Sequence, residues 1–113
     1  MSKLDKLIEY INTKEGLERC LNNEDFYLRL VNKALNDDSY FKLKEELANK
    51  NLDEAFKTAH SLKGVIGNLS LTPMYEIIYE LTEYLRKKED IDYSNYLERL
   101  FMIREELLNI IKE

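Results

Sequence analysis

The sequence predicts an all-α protein, an antiparallel up-down four-helix bundle with a short N-terminal helix capping one end. Three observations carry this. Helix breakers are scarce, three glycines and one proline in 113 residues, while Leu, Glu and Lys abound. Apolar residues recur at helical spacing along nearly the whole chain. The punctuation between periodic stretches is short, so successive helices must fold back on one another.

The first helix is expected over 2–12, with Leu4, Leu7, Ile8 and Ile11 on one face. Gly16 marks a break, and a short helical turn follows over 17–21. Residues 1–22 therefore make the N-terminal cap and 23–113 the bundle, together one domain. Asn23 reads as an N-cap, with Glu24 and Asp25 set against the helix dipole. Tyr27, Leu30, Val31 and Ala34 then fall at i, i+3, i+4 and i+7. Asn36-Asp37-Asp38-Ser39 kinks or ends that helix, and Tyr40, Leu43 and Leu47 continue the stripe to about Asn49. Asn51-Leu52-Asp53-Glu54 is a capping-box signature for a helix running to about Leu69. Thr72-Pro73 starts the next, since proline suits the first helical position. Its stripe is Met74, Ile77, Ile78, Leu81 and Leu85, ending at the cations Lys87 and Lys88. Asp92 caps the last helix, with Leu97, Leu100, Phe101, Leu107, Leu108 and Ile111 turned inward.

Bulk properties exclude several functions. A net charge of −5 repels phosphate backbones and argues against nucleic acid. No apolar run reaches the ~18–20 residues that span a bilayer, and the start MSKLDKLIEYI lacks the apolar core of a signal peptide. The single cysteine, Cys20, allows no internal disulfide and suits a reducing compartment. The expectation is a cytoplasmic protein without membrane contact, and nothing demands more than a monomer. Heavy use of Lys, Asn, Ile and Tyr suits an AT-rich bacterial genome.

The chain holds one histidine, His60, followed by Gly64 and Gly67 inside a helical pattern. Each glycine costs a helix roughly 1 kcal/mol relative to alanine. On a helical wheel Leu52, Ala55, Phe56, Ala59, Leu62, Ile66 and Leu69 form the core-facing arc. His60 lies roughly 120° from the centre of that arc, facing water. Gly64 and Gly67 follow one and two turns on, so bare backbone is expected beside the ring. Lys57 stands one turn back and Lys63 one turn forward. Neutral imidazole is a good nucleophile. A phosphoryl group on it would bring negative charge that lysines offset. Phosphoryl transfer is mostly positioning and charge neutralisation, so a helix-mounted histidine needs little else. A lone surface histidine is usually incidental, and single lysines are ordinary; the combination is what is specific. One histidine without a carboxylate at i+3 or i+4 builds no metal site.

The run Ala59-His60-Ser61-Leu62-Lys63-Gly64-Val65-Ile66-Gly67-Asn68-Leu69 resembles the phosphorylation motif of histidine-containing phosphotransfer (HPt) domains. Gly16-Leu17-Glu18-Arg19 with 23–34 is similar to the family's entry and first bundle helix, and 81–90 to its Leu-x-x-x-Leu-Arg segment. The resemblance implies that His60 is phosphorylated at the solvent-facing nitrogen, with Lys63 near the phosphoryl group and Gly64 keeping it accessible. It implies docking through Lys57, Ser61, Gly67 and Asn68, with Leu30 from the preceding helix completing the patch. The implied partners are response-regulator receiver domains, and a hybrid sensor histidine kinase where one carries such a domain. The receiver supplies the acidic pocket and Mg2+, so this chain is expected to need no cofactor. No glycine-rich nucleotide loop is present, which suits a carrier rather than a kinase. Two positions depart from the family pattern: Ser70 stands where glycine is common, and Thr82 where many members place Glu or Gln to bond the ring. Thr82 is the candidate orienting residue there, but a threonine reaches less far, which leaves the bond absent or water-mediated. Two other readings stay open: a phosphoacceptor domain cut from a larger histidine kinase, which the start at Met1 and finish at Glu113 disfavour, and a non-enzymatic helical adaptor.

Overall fold

A computed structural model describes Glu15, Glu18 and residues 23–112. The helix expected over 2–12 and Cys20 lie outside the described residues, as does the turn expected over 17–21 apart from Glu18. Five helices follow: α1 Glu24–Leu35, α2 Ser39–Ala48, α3 Leu52–Asn68, α4 Thr72–Arg86 and α5 Ser94–Lys112. α3 packs on α2 and α4, and α5 packs on α4 and α1. The result is a four-helix bundle whose first side is broken into α1 and α2 at residues 36–38. None of the described helices is long and apolar enough to cross a membrane.

Among the described residues the expected stripes face the interior, with Leu30, Leu47, Leu52, Phe56, Leu97, Phe101 and Ile111 partly buried at the edge of the core. Tyr27, Val31 and Ala34 of α1, Tyr40 and Leu43 of α2, and Ala55, Ala59, Leu62 and Ile66 of α3 are buried. So are Met74, Ile77, Ile78, Leu81 and Leu85 of α4 and Leu100, Leu107 and Leu108 of α5. Removing that apolar surface from water is the main force holding the bundle together. The Tyr27 hydroxyl donates to the Leu69 carbonyl at 2.6 Å, fixing α1 to the C-terminal end of α3.

The helix starts divide into two kinds. Asn23 caps α1 as expected, its Oδ1 accepting from the Phe26 amide at 3.0 Å. Pro73 occupies the first turn of α4, where its missing N–H costs nothing. The capping box at Asn51 does not form. The Asn51 amide already donates to the Glu46 carbonyl at 2.9 Å to close α2, and Glu54 pairs with Lys57 at 3.3 Å instead. Asp92 acts one residue before the cap position. Its Oδ1 accepts from the Ser94 amide at 2.9 Å, while the Tyr93 carbonyl takes the first helical bond, from Leu97. At the α1–α2 break, hydrogen bonds from the Ser39 hydroxyl and amide hold the Asp37 carboxyl below the ordinary carboxylate range.

α2, α3 and α4 all stop in the same way. At the end of α3 the Leu71 amide donates to the Ile66 carbonyl at 3.2 Å and the Ser70 amide to Gly67 at 3.1 Å. This is a Schellman motif, with Ser70 in the left-handed region at φ 58°. Leu71 and Ile66 supply the accompanying apolar contact, both fully buried. Lys50 and Lys88 hold the same position after α2 and α4, each at φ 56°. The departure at Ser70 therefore has a cost, because a Cβ is strained there, and the Ser70 hydroxyl is buried without a partner. Ser70→Gly is expected to stabilise the domain by about 1 kcal/mol in chemical denaturation. An unchanged or lower midpoint would contradict this.

Candidate functional site

His60 is exposed on α3, on the flank where the wheel placed it. Ala59 and Leu62, on either side, are buried and tie this stretch of helix to the core. The site is therefore a ridge on a fixed element, not a loop.

α4 runs antiparallel along one side of this ridge, and three contacts mark its course. Tyr75 lies against Gly67, Tyr79 against Lys63, and Arg86 against Phe56. The Lys63 ammonium sits 5.4 Å from the centre of the Tyr79 ring, a cation–π contact from a half-buried stem. The Arg86 guanidinium carbon sits 5.0 Å from the centre of Phe56, and Arg86 Nε lies 3.4 Å from Glu83 Oε2. Phe56 in turn stacks on His60, with ring centroids 5.8 Å apart and planes inclined by 23°. Lys57, on the other side of His60, is exposed and shares its charge with Glu54.

The two glycines differ. A Cβ built on Gly64 would meet nothing within 4 Å, so the space beside the imidazole is open. Gly67 is not bare, which corrects the expectation for it: a Cβ there would come to 3.3 Å from the Tyr75 ring. Gly67 thus serves the packing of α4 on α3 as well as the surface. Beyond them Gly64, Gly67, Asn68, Thr72 and Tyr75 border a shallow hollow of about 440 Å³ that Glu15 also lines. On the opposite flank Leu30, Val65 and Asn68 border a smaller hollow of about 280 Å³ between α1 and α3. Ser61 and Asn68 are exposed.

Thr82 makes no direct orienting bond to the ring. It stands between Tyr79 and Arg86 on α4, level with His60, but it is fully buried. Its hydroxyl donates to the Ile78 carbonyl at 2.6 Å, one turn back in its own helix. A threonine so bonded points into the core, with no hydrogen to offer a ring outside it. Phe56, Tyr79 and Arg86 are the neighbours that sequence reasoning left out. Phe56 had its signal, four residues before His60 and so on the same face. Tyr79 and Arg86 depend on how α4 is placed and had none.

The arrangement is a bundle with one exposed imidazole on a helix tied to the core, Lys57 and Lys63 about one turn to either side and open space at Gly64. The Hpt domain family model matches residues 27–112, and the chain belongs to that family, the histidine phosphotransfer domains of two-component phosphorelays. Its members are phosphotransfer carriers, not kinases, and work with response-regulator and kinase partners. No curated protein and no solved structure matches the chain.

Proposed function

We propose that this protein is a phosphorelay intermediate in which His60 takes a phosphoryl group from the aspartyl phosphate of one receiver domain and passes it to another. The observation carrying this reading is the exposed imidazole beside open space at Gly64. A ring nitrogen attacks phosphorus in line with the aspartyl oxygen. The N–P bond forms as the P–O bond breaks, and the electron pair leaves with the receiver's carboxylate. The proton on the other ring nitrogen is free to leave to solvent, so the phosphorylated ring need not stay cationic. The return transfer is the same step reversed.

The acidic pocket and Mg2+ belong to the receiver, and this chain contributes the ring and its surroundings. Lys63 offsets the phosphoryl charge by swinging from the Tyr79 face, where a cation–π contact costs little to leave. Lys57, Ser61, Asn68 and the open margin of Gly67 face the incoming receiver, with Leu30 and Val65 adding apolar area beyond Asn68. The carrier acts as a monomer in the cytoplasm.

The test is transfer from a receiver charged with a small phosphodonor. Label on this chain should be acid-labile and alkali-stable, and its absence would sink the proposal. Gly64→Gln should then move stability and activity in opposite directions. The helix gains about 0.8 kcal/mol, while the side chain fills the approach to the ring and slows transfer roughly tenfold or more. A variant that loses both, or keeps the full rate, would show that Gly64 is there for another reason.

A further inference from the structure

With Thr82 turned inward, among the described residues no hydrogen bond from α4 sets the His60 ring. The ring is not left loose. Phe56 stacks on it, and Phe56 is itself half-buried against the core. Arg86 reaches across from α4 to lie over the Phe56 ring and is held by Glu83 at 3.4 Å. A line of contacts therefore runs from α4 through Phe56 to the imidazole. We infer that Phe56 is the positioning residue that sets the plane of the His60 ring for phosphoryl transfer, with Arg86 clamping Phe56 from the neighbouring helix. The inference rests on His60 being the nucleophile.

The reactive lone pair, on the unprotonated nitrogen, lies in the plane of the imidazole, as does the N–H bond of the other nitrogen. A neighbour stacked on one face therefore restrains that plane and leaves both ring edges open. Rotation about the last side-chain bond of histidine is otherwise broad. Offset stacking at 4.5–7 Å narrows it, and the 5.8 Å between Phe56 and His60 falls in that range. In-line attack requires phosphorus to approach along a lone pair, so a ring confined in plane spends more time in a reactive geometry. A hydrogen bond to the ring would achieve the same alignment by occupying a nitrogen. The stack achieves it with both nitrogens free, one for the phosphoryl group and one to exchange its proton with water.

Phe56→Leu keeps an apolar side chain at a half-buried position, and Phe56→Tyr keeps the ring. In single-turnover transfer from a phosphorylated receiver, Phe56→Leu should slow the saturating rate by roughly three- to tenfold. The receiver concentration giving half the maximal rate should stay unchanged, and Phe56→Tyr should restore the parental rate. The carbon-bound ring protons of His60, shielded by the phenyl face in the parent, should move downfield in Phe56→Leu. If Phe56→Leu fails to fold, Arg86→Leu leaves the stack in place but unclamped and should slow the saturating rate in the same direction. A parental saturating rate in Phe56→Leu, a deficit Phe56→Tyr does not restore, or a change confined to half-saturation would each overturn the inference. Running His60→Gln beside these variants separates the two claims. If that variant takes label, the nucleophile itself is wrong; if it takes none while Phe56→Leu is parental, only the positioning role falls.

Discussion

His60→Gln is expected to take no label from a phosphorylated receiver and to unfold at the parental temperature. Glutamine is close to histidine in size and polarity, but its amide nitrogen shares its lone pair with the carbonyl and is not a nucleophile. The chain has no second imidazole to substitute for the first. Because His60 is exposed, its replacement buries no new polar group and opens no cavity, so the stability change should stay within about 0.5 kcal/mol. The loss should therefore be complete in transfer and absent in folding. Phosphate-affinity electrophoresis after incubation with the charged receiver reads the first, and a thermal melt followed by circular dichroism reads the second. Label on the variant at the parental level would remove His60 from the mechanism. A large drop in melting temperature would instead mean that the ring is a structural element, and lost transfer would then say nothing about chemistry.

The sequence made the bundle readable because its apolar residues keep strict helical spacing. Met74, Ile77, Ile78, Leu81 and Leu85 were named from spacing alone, and all five are buried. The exposed placement of His60 followed from the same arithmetic, since a wheel needs only sequence separation. The failures at Asn51 and Gly67 depended on partners outside their own helix. The capping box at Asn51 is locally correct, but the Asn51 amide is already committed to the end of α2. Gly67 reads as empty surface until α4 brings Tyr75 onto it. Thr82 is four residues after Ile78 and one after Leu81, so its inward aim was legible; the back-bond to Ile78 is what makes a hydroxyl tolerable there. A resemblance that places a residue level with the histidine says nothing about which way its side chain points.

Arg104 carries the second large effect, and replacing it should cost more stability than any surface change in the molecule. It sits four residues after Leu100 and three before Leu107, inside the apolar stripe of α5, and only 5% of it is exposed. Its Nε donates to the Leu35 carbonyl at 2.7 Å, and its Nη1 lies 2.7 Å from Glu105 Oε1. Leu35 is the last residue of α1, so its carbonyl has no partner within the helix. Arg104 therefore caps α1 from another helix, placing a cation at the negative end of the α1 dipole. Its guanidinium also lies 5.3 Å from the centre of Tyr40 and 5.1 Å from that of Phe41, in the first turn of α2. One side chain thus holds both ends of the break that splits the first side of the bundle. Arg104→Met preserves much of the apolar stem but orphans the Leu35 carbonyl and removes the charge. About 2–3 kcal/mol should be lost, from an unmade hydrogen bond to a charged group and the carbonyl it leaves buried. Arg104→Ala adds a cavity and should cost about 3–5 kcal/mol. Arg104→Lys should fall between parent and Met, because an ammonium bonds the carbonyl but cannot stack its plane on Tyr40 and Phe41. Urea denaturation gives the ordering directly. If Met matched the parent, the guanidinium would be a passenger on a buried stem, and the break at 36–38 would owe its stability to the Asp37 turn alone. The site is remote from His60 in sequence and acts through the fold, so below its melting point Arg104→Met should still accept label at His60.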